Sequence, residues 1–115
     1  MLTVRDNMKI YLRPGKTDFR KSINTLPVLV QETMKLDSMS GNYFIFCDRA
    51  KERLKILYYD TNGFCLWYKR LEKDKFRWPK TEEEAKEITR EEFRWLMRGL
   101  DFYNAHKTTH YAAVI

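Results

Sequence analysis

Asp18, Asp48 and Asp60 are the first side chains of this sequence whose type could do chemistry. Three carboxylates converging on divalent metal ions would make the acidic cluster of a phosphoryl-transfer or strand-cleaving site. Each aspartate, however, has a sufficient local reason. Asp18 follows Thr17 at an expected helix start, and Asp48 and Asp60 fall at strand ends or turns. No catalytic role is assigned to them, and the chain is not expected to be an enzyme. His106 and His110 are four residues apart and could share a helical face as metal ligands, but no third ligand lies nearby, so they read as solvated histidines. Cys47 and Cys65 sit inside expected strands as small apolar residues; they read as free thiols, with a disulfide between neighbouring strands left open. The sequence contains no glycine-rich phosphate loop, no Ser or Cys nucleophile with a matched histidine, and no metal-spaced cysteines. No cofactor and no metal are expected.

The remaining chemistry is that of positive charge. The chain of 115 residues carries 22 Lys and Arg against 16 Asp and Glu. Residues 1–80 hold 17 basic and 9 acidic side chains, whereas residues 81–115 hold 5 and 7. A locally basic body attracts polyanions or an acidic partner surface. The candidates for nucleic-acid contact are Arg49, Lys51 and Arg53 in one loop, and Lys55, Lys69, Arg70, Lys73, Lys75 and Arg77 along the strands and segment that follow. Lys80 closes that run. Phe76 and Trp78 interleave with these cations, and exposed rings can stack on unpaired bases, although each of these aromatics, like Trp67, also suits a core. Glu72 and Asp74 interrupt the positive run.

Several elements must position these groups. Leu54–Tyr59 and Phe64–Lys69 alternate in the manner of strands around Asp60-Thr61-Asn62-Gly63, where Asn and Gly tolerate the positive φ of a hairpin turn. A third short strand is expected near Phe76–Trp78. Met8–Leu12 reads as a first strand ending at the turn Arg13-Pro14-Gly15. Thr17 then reads as the N-cap of a helix whose buried stripe is Phe19, Ile23, Leu26, Val30 and Met34, with a kink or restart near Asn24 and Thr25 because Pro27 cannot donate within a helix. Tyr43–Cys47 is an apolar strand expected in the middle of a sheet, joined by a wide loop, Asp48–Arg53, to the hairpin. After Lys80, residues 81–87 read as an acidic solvated connection. Thr89 and Glu92 fit a capping box, with Ile88 and Phe93 as its staple, opening a second helix that Gly99 would end.

Three blocks, IYLRPGKTDFRKSI, LKILYYD and DTNGFCLWYKRLEKDKFRWP, resemble the small Orf2-like accessory protein, also called TnpB, of the insertion-sequence-66 transposon family. The resemblance runs from about Met8 to Leu100. It concerns a protein distinct from the RNA-guided nuclease of the same name. It implies a non-catalytic partner of a large transposase, needed for or assisting transposition, and it supplies no catalytic residues.

Residues 1–100 are therefore expected to form one α+β domain: a mostly antiparallel sheet of about four to five strands with two main helices packed on it, on one face. Residues 101–115 form a C-terminal tail, read as partly helical or disordered. The expected function is assistance to the transposase through DNA at the transposon ends; the alternative is an adaptor that binds the transposase, or a second copy of itself, without DNA. The opening MLTVRDNMKI lacks an apolar run of leader length and no stretch would span a bilayer, so a cytoplasmic location and no membrane partner are expected.

Overall fold

A computed structural model of the chain describes residues 2–98. His106, His110, the expected helix end at Gly99 and the expected tail lie outside the described residues. Among the described residues seven elements follow in order: β1 (Ile10–Leu12), α1 (Leu26–Glu32), β2 (Tyr43–Cys47), β3 (Arg53–Asp60), β4 (Gly63–Arg70), β5 (Lys86–Ile88) and α2 (Arg90–Met97). The strands make one sheet in the order β4-β3-β2-β1-β5. Only β1 and β2 run parallel, which requires the crossover that α1 occupies; the other pairings are antiparallel. The architecture is the expected α+β one.

β2 sits at the centre, and all five of its residues are 4% exposed or less. Its alternating side chains therefore need cover on both faces. Phe44 and Phe46 pack with Leu26, Val30 and Met34 on the α1 side. Tyr43, Ile45 and Cys47 join Phe76, Trp78, Phe93 and Leu96 in a separate core on the α2 side. The helices thus cover opposite faces, correcting the expectation that both lie on one.

Other departures have local causes. α1 begins at Leu26 with Pro27 in its first turn, where a missing N–H costs nothing, so the anticipated restart is the true start of the helix. Residues 17–25 form turns instead. Thr17 is buried, and its backbone N–H donates to the Cys47 carbonyl at 2.8 Å rather than opening a helix. Ile23, expected in the buried stripe, is 38% exposed. β5 begins inside the stretch expected to be an acidic connection; it pairs with β1 through Ile10 opposite Ile88 and Leu12 opposite Lys86. α2 carries the expected capping box, with Glu92 N–H donating to Thr89 Oγ1 at 3.0 Å and Thr89 N–H to Glu92 Oε1 at 2.8 Å.

No third strand forms around Phe76–Trp78. Residues 71–85 instead make a strap that travels from β4, at one edge of the sheet, to β5, at the other. It touches the loops it passes: Leu71 N–H donates to Glu52 O at 2.8 Å, Phe76 N–H to Lys51 O at 2.7 Å, and Gly15 N–H to Pro79 O at 3.0 Å. Phe76 and Trp78 are buried while Lys75 and Arg77 are exposed, so the alternation in the sequence is real without a partner strand.

The β3–β4 hairpin closes with Thr61 and Asn62, and the positive φ falls on Thr61, at 52°, rather than on Asn62 or Gly63. A β-branched residue is poorly suited to that region, which favours glycine. Thr61→Gly is expected to stabilise the fold by about 0.5–1 kcal/mol net of the entropy that glycine adds to the unfolded chain. Thermal unfolding checks this; a lowered melting temperature would show that the turn carries no strain.

A candidate polyanion-binding surface at one end of the sheet

The carboxyl ends of β1 and β2, the start of β3 and the end of β4 lie together, because Leu12 pairs with Ile45, Cys47 with Leu54, and Leu54 with Lys69. Loops 13–17 and 48–52 and the strap meet at that end. Asp48 shapes the second loop. Its Oδ1 accepts from the backbone N–H groups of Glu52 and Arg53 at 3.0 and 3.1 Å, and its Oδ2 accepts from Arg53 Nε at 2.8 Å. Burial opposes the charge on Asp48, yet the Arg53 guanidinium and the two amides together hold its carboxyl below the ordinary carboxylate value. The loop turns at Lys51, whose φ is 61°.

The three aspartates do not converge. Asp18 is an exposed group paired with Arg20 at 2.7 Å, and the side-chain and backbone hydrogen bonds from Arg20 lower its pKa to about 2. Asp60 ends β3 while Asp48 sits beside its start, roughly 20 Å away along an extended strand. Among the described residues no group of three His, Cys, Asp or Glu side chains could hold a metal ion. The cysteines are also apart: Cys47 on β2 lies opposite Leu54 and Cys65 on β4 opposite Tyr58, so a whole strand and four residues of its length, roughly 13 Å along β3 on top of roughly 9–10 Å across it, put a disulfide out of reach. Desolvation pushes the Cys47 thiol up to about 12, an unreactive state.

The candidate cations divide into two groups. Lys55 and Lys69 point along the sheet faces and are engaged internally. The Lys55 ammonium donates to the carbonyls of Phe19 and Lys21 at 2.9 and 2.8 Å and stands 4.7 Å from the centre of the Phe19 ring, while burial lowers its pKa. Lys69 donates to Met97 O at 3.1 Å, capping the last turn of α2. Arg49, Lys51, Arg53, Arg70, Lys73, Lys75 and Arg77 all lie on the loop, strand end and strap at the shared end of the sheet. Arg53 is held by Asp48, and Arg70 pairs with Glu72 at 3.1 Å. The other five have no ion pair among the described residues.

Lys16 and Lys80 belong to this end as well. Sequence reasoning misses Lys16 because only the strap brings residues 15–16 beside Trp78. The rings are not stacking platforms: Phe76 and Trp78 are 1% and 7% exposed, and Trp67 is half-buried. Tyr68, 49% exposed on the outer strand, is the ring most open to solvent there. The charge is mixed, since Glu52, Glu72 and Asp74 are exposed among the cations and Glu82–Glu84 lead into β5.

What the geometry defines is a small α+β domain in which a strap and two loops present charge at one end of a sheet. The chain belongs to the family described as IS66 Orf2 like protein, whose profile matches residues 8–107. Membership implies a transposition accessory protein. Two relatives come from Sinorhizobium fredii. The one named Uncharacterized protein y4hO is 34% identical over 108 residues, covering 94% of each chain. The one named Uncharacterized protein y4jC is 34% identical over 95 residues, covering 83% of this chain and 81% of its own. No solved structure matches the chain. No described helix is long and apolar enough to cross a membrane.

Asp48→Ala would strip two backbone N–H groups and Arg53 of their acceptor, and it is expected to destabilise the fold at pH 7 by about 1–3 kcal/mol. Because the folded pKa of Asp48 is depressed, the stability its charge contributes is present above the unfolded value and is lost as pH falls through the folded one. The gap between Asp48→Ala and the parent should therefore narrow below about pH 4 in denaturant titrations; a gap that stays constant down to about pH 2 would count against this role.

Proposed function

We propose that this protein is a non-catalytic transposition factor that holds DNA of its element, including the transposon ends, against the cationic end of its sheet while it works with the large transposase in the cytoplasm. The observation that carries this reading is the sorting of the cations. Those on the sheet faces are used up by internal carbonyls, whereas Arg49, Lys51, Lys73, Lys75 and Arg77 gather on two segments stitched together by the Leu71–Glu52 and Phe76–Lys51 hydrogen bonds. Such a surface suits the phosphodiester backbone, because phosphate recognition needs positioned charge and not a particular base. Buried aromatics leave duplex DNA favoured over an unpaired strand, which would call for open rings.

A second reading has its own support. The exposed Glu52, Glu72 and Asp74 give the surface alternating sign, the pattern by which protein partners select one another. It makes the protein an adaptor for the transposase or for a second copy of itself.

Binding of a transposon-end duplex, followed across a salt series, tests the first reading. Affinity should fall steeply with salt. Lys73→Glu/Lys75→Glu/Arg77→Glu should reduce it at least tenfold and flatten the slope of log K against log salt by roughly 0.9 for each phosphate no longer neutralised. If no salt-sensitive binding occurs while the transposase is captured in the presence of nuclease, the adaptor reading replaces it.

A further inference from the structure

Gly15 and Lys16, then Asp48, Arg49 and Lys51, then Trp78 and Lys80 come from three different parts of the chain and line an open depression of about 360 Å³. Four cationic side chains line it: Lys16, Arg49, Lys51 and Lys80. None of the four has an ion-pair partner among the described residues. The depression's carboxylate, Asp48, has both oxygens occupied by Arg53 and by the Glu52 and Arg53 amides, so its charge is already spent on the loop. Like charges gathered without a counter-charge repel one another and concentrate a field that attracts an anion.

The frame around these cations is fixed. Trp78 Nε1 donates to both Gly15 O at 2.8 Å and Arg13 O at 3.1 Å, Gly15 N–H donates to Pro79 O at 3.0 Å, and Phe76 N–H donates to Lys51 O at 2.7 Å. Gly15 takes a φ of 78°, which lets the first loop turn back onto the strap. An uncompensated cationic hollow suits a polar anionic guest rather than an apolar one.

We infer that the depression between Lys16, Arg49, Lys51 and Lys80, floored by Trp78, is a phosphate seat that takes one phosphodiester of a DNA backbone and fixes where the duplex lies on the sheet end. This rests on the DNA-binding reading and narrows it. The cations on the outer strap supply general attraction, and the seat supplies position.

The test uses the full chain, isotope-labelled so that the Trp78 indole N–H signal can be followed, its assignment made with Trp78→Phe. Duplex from the transposon end should move that signal at low salt. Lys16→Gln/Lys80→Gln should weaken duplex binding at least tenfold, clearly more than the charge-matched Lys9→Gln/Lys35→Gln, which removes two exposed lysines outside the depression. Circular dichroism and melting of both variants establish that they are folded. Equal losses in the two pairs, or an unmoved Trp78 signal with duplex bound, overturn the seat while leaving DNA binding standing. A signal moved by inorganic phosphate but not by duplex overturns the backbone assignment in favour of a free-anion site. Absence of any duplex binding sinks both this inference and the reading beneath it.

Discussion

A central strand without a polar face is the constraint from which the rest of this molecule follows. β2 offers five consecutive side chains to burial, so something must lie on each side of it. The crossover between the parallel strands β1 and β2 covers one side with α1. The other side is filled by α2 together with Phe76 and Trp78, and to deliver those two rings the strap must cross the sheet end. Core packing and the charged surface are therefore one arrangement: what inserts the aromatics also sets Lys75 and Arg77 facing water and brings Lys80 to Lys16.

Charge is divided accordingly between folding and presentation. Lys55 is desolvated and still kept in place by two carbonyls and the Phe19 ring, and it thereby ties the turns of residues 17–25 to the sheet. Asp48 and Arg53 form a pair whose carboxylate is 5% exposed and whose remaining acceptor capacity meets backbone amides, the condition under which a buried charge is tolerable. Desolvation makes these groups costly to leave unpaired. The cations of the outer loops are hydrated and carry no such penalty, so they stay available to a polyanion.

Where a local pattern is strong, the sequence is legible. Tyr43–Cys47, the hairpin, the capping box at Thr89 and the restart at Pro27 all depend on neighbours a few residues away. The features it hides depend on contacts far along the chain. β5 is three residues long and has one apolar side chain, Ile88, buried in the core, too little for a period; it is a strand because β1 offers an open edge. Phe19 and Ile23 keep helical spacing, yet Thr17 is drawn out to pair with Cys47, and tertiary hydrogen bonding overrides the helix that the spacing suggests. The cationic loop and strap are readable as charge, but nothing local tells Lys55 and Lys69 from the others, because Phe19, Lys21 and Met97 accept their hydrogen bonds from 28 to 36 positions away.

The strap also gives the sheet end a direction. Its first part carries Lys73, Lys75, Arg77 and Lys80, and its last part carries Glu82, Glu83 and Glu84 before β5 begins beside Leu12. A polyanion resting on the β2–β4 side therefore meets like charge as it approaches β5. Net charge alone, +6 for the chain, contains no such asymmetry. With the acidic run fixed at the β5 edge, the order of charge along the strap grades the field across the sheet end, positive at the loop carrying Arg49 and Lys51 and negative at the far edge. The same run gives the β5 side of the sheet end a sign opposite to that of the loop side.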